Sequence, residues 1–572
     1  MKTLLIIVSI FSLSFVFAQD VLIENIAIVD VEKGELTKPK NVFIQDGLIV
    51  KISNRPIKVA AETTVIEGTG KYLMPGMIDT HIHFFQTGSL YTRPDAIDMT
   101  DVRPYEEELQ FAEEMVPDSF KRYLRLGVTS IMDVGGPFSN FKVRDSVAEK
   151  HLSPNVYVTG PLFSPYQPEA LSKLDDVPIV KITSEEEATA LFNKMLPYKP
   201  DFIKIWYIAS AQEPAEKNYG VVAHIAKLAH ENGLKLAVHA TQKKTAELAV
   251  KAGADILVHS IDDVPADDAF AQLLIDNDVT YIPTLIVSKN YVKAFLGKPD
   301  NHEHDLYYAN PETYKSMLYF QKYNKENITQ NVKQIWDNEA RFQTYYDEKI
   351  DLMGTSLKLL NRKGVTIAAG TDAGNIGTMH ASSYLQELEA MQKAGLTPPE
   401  ILKTATYNAA KGFGLLEELG TVSEGKKADL LILSANPLAQ LENLKTIETT
   451  LKEGVALSVS EIIEETPEQI VQRQVNAYNA RNIEAFMDTY ADDIKIYNFP
   501  DVLSMDGKEQ MRQQFSAMFE SVPNLYCEIK NRIVLGNKVV DREYVRFGET
   551  YSSVIAIYEV TNGKISKVTF LR

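Results

Sequence analysis

The fold of this chain is decided by the stretch Leu73-Met74-Pro75-Gly76-Met77-Ile78-Asp79-Thr80-His81-Ile82-His83. The apolar run from Met77 is typical of a short buried strand, and Pro75-Gly76 marks its start. Side chains alternate along a strand, so His81 and His83 lie on one face. Two imidazoles on one face can chelate a single cation. We therefore predict a metal-binding strand, although two hydrogen-bonded histidines would give the same local pattern.

The composition indicates a folded protein of several domains. The chain has 572 residues, of which 45% are hydrophobic, and one domain usually takes about 100–200 residues. A net charge of −18 argues against nucleic acid as a partner, because phosphate binding needs a basic face. We expect a small-molecule substrate instead, and the sequence leaves a homo-oligomer open.

Residues 1–18 have the pattern of a secretory signal peptide. Lys2 precedes an apolar run from Leu4 to Phe17, and Val16-Phe17-Ala18 offers a cleavage site. The run is too short for a membrane span, and no later stretch reaches about 18 apolar residues. We predict an exported protein, periplasmic or extracellular, with no transmembrane span after signal removal; a retained N-terminal anchor is the alternative. With Cys527 as its one cysteine, the chain has no internal disulfide.

The residues after the signal alternate between two kinds of pattern. From Val21 to about Tyr72, short β-type runs and the turn Asp46-Gly47 predict a small β domain. From Met74 to about Gly414, strands alternate with helical stretches, which predicts a (β/α)8 barrel. The eight candidate strands are Met77–His83, Val128–Val134, Asn155–Gly160, Phe202–Trp206, Lys235–His239, Asp255–His259, Val279–Thr284 and Val365–Asp372.

A long helical insertion interrupts the predicted barrel between residues 285 and 364. It is rich in tyrosine and follows the seventh strand, so we predict a lid or a wall over the barrel mouth. His302 and His304 within it repeat the His-x-His spacing, but their polar loop favours no second metal site from sequence alone. After the barrel, the β-rich segment from Glu418 to Leu433 is predicted to complete the N-terminal β domain.

The tail from about Glu465 has its own pattern. Two amphipathic helices, Gln469–Asn482 and Ile483–Tyr490, precede a strand, a third helix and further strands that end at Leu571. Helices followed by a meander of strands predict an independent α+β cone-shaped domain.

Four further residues with metal-binding chemistry lie in the predicted barrel strands. Lys204 is inside the fourth strand, and His239, His259 and Asp372 end the fifth, sixth and eighth. The C-terminal end of every barrel strand opens onto one face, so these side chains are expected to converge with His81 and His83. Singly each would be assigned a structural role; together they predict a metal site.

The chain resembles the amidohydrolase superfamily, most closely its imidazolonepropionase-like and exported dipeptidase branch. The resemblance covers about Val21 to Leu457 and rests on Pro75–His83, Gly370–Gly374 and the closing Gly425-Lys426-Lys427-Ala428-Asp429-Leu430. It implies a TIM barrel at 73–414, with the insertion 285–364, and a split β-sandwich domain formed by 19–72 and 415–460. The tail, 465–572, resembles the nuclear-transport-factor-2-like (SnoaL-like) fold.

The resemblance also implies roles for the site residues. His81 and His83 would bind a buried metal ion, His239 and His259 a more exposed one, and a CO2-derived carbamate on Lys204 would bridge the two. Both ions would be divalent; zinc suits these ligands, and Mn²⁺, Fe²⁺ and Co²⁺ are the alternatives. Asp372 would ligate the buried ion and act as general base for a bridging hydroxide that hydrolyses an amide, dipeptide or cyclic amide C–N bond. His380, just after this aspartate, is a candidate substrate contact.

Two alternatives remain open at this stage. A mononuclear deaminase would carry a glutamate three residues after the fifth-strand histidine, where this chain has Gln242. A non-catalytic binding protein would act through the tail. An isomerase in the tail is disfavoured, because Gln474 and Asn498 occupy the positions where ketosteroid isomerases of this fold carry a tyrosine and an aspartate; Tyr478, one turn further on, is the nearest phenol.

Overall fold

The computed structural model describes residues 20–148, 150–210, 214–298, 302–319 and 330–572. The predicted signal peptide lies outside the described residues. Among the residues that are described, no helix combines the length and apolar character needed to cross a membrane.

The chain begins in a β domain. Its strands are β1 (Val21–Asp30), β2 (Glu35–Leu36), β3 (Lys40–Gln45), β4 (Leu48–Ser53), β5 (Thr64–Glu67) and β6 (Tyr72–Pro75). The predicted turn joins β3 and β4, with positive φ values of 50° at Asp46 and 76° at Gly47. A register shift between Ile23 and Ile26 divides β1 into two parts.

The barrel strands begin with the histidine strand. They are β7 (Met77–Ile82), β8 (Val128–Asp133), β9 (Asn155–Val158), β10 (Leu162–Ser164), β11 (Ile179–Lys181), β12 (Ile203–Trp206), β13 (Leu236–His239), β14 (Ile256–Val258), β15 (Thr280–Ile282) and β16 (Thr366–Ile367). All eight predicted strands are present and the (β/α)8 barrel is confirmed; β10 and β11 are additional, and β11 pairs with β10.

The third barrel strand differs from its prediction because it is broken. β9 pairs with β8, whereas β10, three residues further on, pairs with β12. The backbone bends at Gly160, whose φ is 79°, and Pro161 cannot donate to a ladder. The last strand meets the first through the Asp372 N–H, which donates to the His81 carbonyl at 2.7 Å, and the His83 N–H, which donates to the Ala373 carbonyl at 2.8 Å.

Helices alternate with these strands around the barrel. They are α1 (Tyr105–Arg125), α2 (Ser139–Val147), α3 (Glu169–Ser172), α4 (Glu185–Met195), α5 (Ala215–Glu231), α6 (Lys243–Ala252), α7 (Asp268–Asp276), then α8 (Val287–Phe295), α9 (Glu303–Tyr308), α10 (Pro311–Tyr319), α11 (Gln330–Asp337) and α12 (Glu339–Lys363) in the insertion, and finally α13 (Ser382–Lys393), α14 (Pro398–Ala405) and α15 (Tyr407–Gly412).

After the barrel the chain returns to the β domain with β17 (Leu430–Leu433), β18 (Ile447–Lys452) and β19 (Val455–Ser458). The sheet order is β19-β18-β17-β6-β1-β3-β4, so strands from both ends of the barrel sequence share one sheet. β1 pairs with β3 and β5 over its first half and with β6 over its second. It therefore belongs to both layers of the split β domain.

The tail forms an α+β domain, as predicted. Its elements are α16 (Pro467–Ala480), α17 (Ile483–Asp488), β20 (Tyr490–Asn498), β21 (Val502–Asp506), α18 (Lys508–Ser521), β22 (Tyr526–Leu535), β23 (Lys538–Phe547), β24 (Thr550–Thr561) and β25 (Lys564–Leu571). The tail packs on the insertion: the side-chain amide of Asn476 in α16 donates to the Pro311 carbonyl at 2.8 Å.

Candidate functional site

A cavity of about 250 Å³ opens at the C-terminal ends of the barrel strands. Five of the predicted site residues line it: His81, His83, His239, His259 and Asp372. The topology therefore brings together side chains that are almost 300 positions apart, as expected for residues that end parallel barrel strands (372 − 81 = 291). The first and last helices of the insertion contribute Val287, Ser288, Tyr291 and Met353 to the lining, so the insertion forms part of the cavity wall.

Asp372 is the centre of the polar cluster. Its Oδ1 lies 3.2 Å from Nε2 of His81 and 3.2 Å from Nε2 of His83. Its other oxygen lies 4.0 Å from Nδ1 of His259. Burial alone would raise the pKa of Asp372, but the neighbouring histidines, His81 first among them, hold it well below its usual range. The carboxyl group is therefore anionic at neutral pH and faces three imidazoles.

The histidines present lone pairs to the same space. Burial lowers the pKa of His81 to about 3 and the pKa of His239 to about 3, so both rings are neutral near pH 7. His83 donates from Nδ1 to the Gly135 carbonyl at 2.7 Å, which turns its Nε2 toward Asp372. The ring centroids of His239 and His259 are 4.5 Å apart. Neutral imidazoles held by outer hydrogen bonds are the form in which histidine binds metals.

Lys204 is the least satisfied polar group of the site. It is 1% exposed, and its Nζ has no hydrogen-bond partner within the part of the chain that the structure describes. Burial lowers the pKa of its ammonium to about 7. A buried amine without a partner is costly as an ammonium, and as a neutral amine it is a nucleophile able to take up CO2. The donor set around it fits metal ions: four imidazoles and a carboxylate, with one more oxygen donor if Lys204 is carboxylated.

Left-handed backbone conformations occur at three strand ends around the cavity. The φ angle is 76° at His259, 43° at Thr284 and 63° at Asp372. Residues other than glycine lose about 1–3 kcal/mol in such conformations, which cluster at functional sites. Buried Asp79 fixes the segment before Asp372: it accepts from the Thr371 N–H at 3.1 Å and from its hydroxyl at 2.8 Å. This turn explains why β16 ends well before its predicted end at Asp372.

Sequence reasoning missed three polar residues beside Asp372. The Asn375 amide donates to Asp372 Oδ1 at 2.7 Å. The same amide accepts from Arg93 at 2.9 Å and from the Tyr291 hydroxyl at 2.7 Å. Arg93 is itself held by Asp95 at 2.6 Å. Asn375 directly follows Gly370–Gly374, so that motif carried a signal, and Tyr291 lies in the tyrosine-rich insertion that was predicted to cover the barrel mouth. Arg93 lies in a segment with no recognisable pattern.

The position of His380 does not support the predicted substrate contact. Its Nε2 donates to the Gln86 carbonyl at 2.7 Å, and its Nδ1 accepts from the Tyr123 hydroxyl at 3.1 Å. Burial lowers its pKa to about 4, so the neutral ring uses both nitrogens within the protein. His380 does not line the barrel cavity; it lines a separate, smaller cavity. It fastens the segment after Asp372 to α1.

A second, larger cavity of about 560 Å³ lies in the tail. Its walls are mostly apolar or aromatic, and the buried members that carry a hydroxyl, amide or carboxyl group are Gln474, Tyr478, Tyr490, Glu543 and Tyr558. The Tyr558 hydroxyl donates to Glu543 at 2.6 Å, and burial raises the pKa of that carboxyl to about 7. Among the described residues, the side-chain oxygen of Gln474 is buried with no hydrogen-bond partner. Asn498 is absent from the lining.

Comparisons with known families divide the chain in the same way as the fold. The model of the amidohydrolase family matches residues 72–457, and the model of the SnoaL-like domain matches residues 471–568. These ranges cover the barrel with its returning β strands and the tail.

Individual relatives are similar either over a short stretch of sequence or over a longer stretch at low sequence identity. Dihydroorotase of Carboxydothermus hydrogenoformans is 42% identical over 76 residues, 13% of this chain and 16% of the relative. Imidazolonepropionase of Mesorhizobium japonicum is 40% identical over 84 residues, 14% of this chain and 20% of the relative. The chain thus spans a fifth or less of the length of these curated relatives. The solved structure of a Xaa-Pro dipeptidase with bound methionine has a TM-score of 0.58 and 20% identity, covering 77% of this chain and 100% of the other, which shows a shared fold.

Proposed function

The chain belongs to the amidohydrolase family, and from that premise we propose that it hydrolyses a C–N bond in a dipeptide, an N-acyl amino acid or a cyclic amide. The observation that carries the proposal is the cluster around Asp372, in which an anionic carboxylate lies 3.2 Å from two imidazoles. Nearby is the buried Lys204, whose Nζ has no hydrogen-bond partner among the described residues. A purely structural cluster would have paired that lysine.

Two divalent ions would be held by the residues of this cluster. His81, His83 and Asp372 would bind one, His239 and His259 the other, and carboxylated Lys204 both. Zinc suits these ligands. Two such ions polarise a carbonyl group and lower the pKa of a bound water.

The protein's own part in the reaction falls chiefly to Asp372. A water molecule adds to the amide carbonyl, the Asp372 carboxylate accepts the proton of that water, and the same proton passes to the nitrogen as the C–N bond breaks, so the products are an acid and an amine. The Asn375 amide, at 2.7 Å from Oδ1, orients the carboxylate. Arg93 and Tyr291 hold that amide in turn, and we expect them to act as positioning residues.

The cavity walls support a small, partly apolar substrate. Phe85, Leu162 and Trp206 form apolar surfaces, and Asp262, Ser260 and Thr241 add polar groups. Gln242 is not part of this lining; it precedes α6. A deaminase remains the alternative within the same cavity, and its product, ammonia, would distinguish it.

The proposal is tested by turnover on a substrate panel. Protein purified with zinc and bicarbonate is incubated with dipeptides, N-acyl amino acids and lactams, and products are followed by mass spectrometry and an ammonia assay. We expect cleavage of at least one amide class, abolished by a chelator and restored by zinc. Release of ammonia without acid and amine would move the assignment to deamination, and no turnover on a metal-loaded protein would contradict it.

We also propose that the protein is exported, since residues 1–18 have the signal-peptide pattern. The N-terminus of the protein purified from its native cell fractions should begin near Gln19. An intact Met1 in the cytosolic fraction would contradict export.

A second candidate function is ligand binding in the tail cavity. The observation that favours it is the buried side-chain oxygen of Gln474, which has no hydrogen-bond partner in the described part of the chain and lies in a cavity of about 560 Å³. A largely apolar small molecule with one hydrogen-bond donor would satisfy this oxygen. Tyr478 packs against Phe486, Phe515 and Phe519, and we assign no isomerase role to it.

Glu543 makes the stability of the tail depend on pH. Its pKa is raised by burial from 4.5 to about 7, so the folded state keeps a proton that the unfolded state has released. The contribution of this group to the free energy of unfolding is therefore fully present below about pH 4.5, and it is lost as the pH rises toward 7. The loss is at most roughly 3 kcal/mol. Between about pH 5 and pH 8, the thermal midpoint should fall more in the wild type than in Glu543→Gln.

The matched control for this prediction is Glu549→Gln, whose side chain is 85% exposed in the same domain. Differential scanning calorimetry on both variants measures the slope. Equal slopes for the wild type and Glu543→Gln would show that the carboxyl is ionised in the folded state over this range.

A further inference from the structure

A second cluster of metal-type side chains lies outside the barrel cavity. His302 and His304, at the start of α9 in the insertion, face Glu389 of α13. One ligand atom from each of the three lies within 4.8 Å of the others. The cluster shares no residue with the barrel site. In the structure the two histidines of the second His-x-His spacing lie next to the carboxylate of Glu389, which no sequence pattern indicated.

The two imidazoles present the same nitrogen to one carboxylate. Nε2 of His304 lies 2.6 Å from one oxygen of Glu389, and Nε2 of His302 lies 3.3 Å from the other. The ring centroids are 4.7 Å apart and the ring planes 34° apart. The side chain of His304 is 1% exposed, whereas those of His302 and Glu389 are 30% and 38% exposed. The group therefore has a buried wall and one side open to solvent.

Contacts around the cluster hold its rings in place. Nδ1 of His302 accepts from the His304 backbone N–H at 3.4 Å, which turns its Nε2 toward Glu389. The next residue, buried Asp305, accepts from the Ser382 hydroxyl at 2.6 Å. Thus α9 is attached to α13 at two points, and the donor atoms lie on elements whose relative position is fixed.

The donor set and spacing suit a divalent cation of the zinc class. Two imidazoles and a carboxylate are ligands for zinc, cobalt and nickel. Tetrahedral zinc with bonds of about 2.0–2.2 Å separates neighbouring N and O ligands by about 3.4 Å. The His302–Glu389 pair is already at that separation, and the His304–Glu389 pair reaches it when the half-exposed Glu389 moves back by less than about 1 Å. Asp305 and Glu303 add negative charge nearby, offset in part by Lys445, which pairs with Glu303.

We propose that His302, His304 and Glu389 form a third metal site, with solvent in the open position, that fastens the insertion to α13. Helix α13 follows the segment from Asp372 to His380. The ion would therefore join the insertion, which forms part of the cavity wall, to the segment that carries the proposed general base. The competing explanation is an ion pair between Glu389 and a protonated histidine, which needs no metal.

Metal content separates the two explanations. Metal-free protein is dialysed to equilibrium against micromolar zinc with bicarbonate, and zinc per chain is measured by plasma mass spectrometry. We expect His302→Ala and Glu389→Gln to bind one ion fewer than the wild type. Glu303→Gln, a matched change on the same helix outside the cluster, should bind the wild-type number. Lys204→Ala should lose barrel zinc while keeping this ion, so the site is scored independently of the proposed activity.

A second measurement covers variants that fold poorly. Zinc should raise the thermal midpoint of Lys204→Ala, and the added change Glu389→Gln should remove that shift. If the wild type, His302→Ala and Glu389→Gln bind the same number of ions, or if the shift survives Glu389→Gln, the cluster is an ion pair and the proposal is overturned.

Discussion

Asp372→Asn should lower kcat by roughly 10²–10⁴-fold, the usual contribution of a general base. The side-chain amide has nearly the same shape and remains beside Asn375, but it cannot accept a proton from water near neutral pH. The variant should fold normally, since asparagine tolerates the left-handed conformation found here, where φ is 63°. Kinetics on the amide substrate found in the panel, with zinc content measured on the same samples, would separate loss of a base from loss of a ligand.

The control for this variant is Asp278→Asn. Asp278 also has a left-handed backbone, with φ of 48°, but its side chain is 76% exposed and pairs with Lys411. It should keep the wild-type kcat. If Asp372→Asn retains more than about a tenth of the wild-type kcat while binding the full number of ions, another group accepts the proton, and the role assigned to Asp372 is wrong.

Lys204→Ala should remove zinc from the barrel and abolish turnover, because in the proposed site a carboxylated Lys204 would bridge both ions. Unusually for a buried residue, its loss should leave stability nearly unchanged or improve it. Its Nζ makes no hydrogen bond to any residue that the structure describes, so the substitution removes an uncompensated polar group from the interior. Plasma mass spectrometry and thermal unfolding of metal-free protein measure the two effects.

The matched control is Lys452→Ala, because Lys452 is also a buried lysine but has charged partners. Lys452 is 3% exposed and lies 2.9 Å from Glu453 and 3.6 Å from Asp429. Its removal leaves Asp429 buried without that charge, so it should lower stability and leave barrel zinc unchanged. Should the wild-type barrel hold one zinc ion and Lys204→Ala keep it, the site would be mononuclear and deamination would become the better proposal.

The barrel could be predicted from sequence because its strands are apolar runs that end in chemically distinctive residues. His239 and His259 mark strand ends, and parallel strands put such ends on one face. The broken third strand could not be predicted, since Gly160-Pro161 is compatible both with a strand end and with a bend inside a strand. Arg93 and Tyr291 were missed for a different reason: they reach Asn375 across the barrel mouth, and no local pattern records such contacts.

Position in the sequence was misleading for His380 and uninformative for Glu389. His380 is eight residues after Asp372, which suggested the cavity, but its ring contacts Tyr123 and the Gln86 carbonyl instead. Glu389 lies in a helix without a sequence motif, and it becomes a candidate metal ligand only because the insertion packs against that helix. Both cases depend on tertiary contacts rather than on residue type or spacing.

The shared sheet of the β domain has a consequence for how the chain is made. Tyr72 pairs with Leu433, so the ladder between β6 and β17 closes only after the whole barrel sequence has been synthesised. Such distant pairing gives a high contact order and slow closure, during which β6 offers an unpaired edge to other chains. A shortened gene that removes the tail should therefore keep everything up to Ser458, the last residue of β19. Ending the product before β17 would expose that edge permanently and favour aggregation.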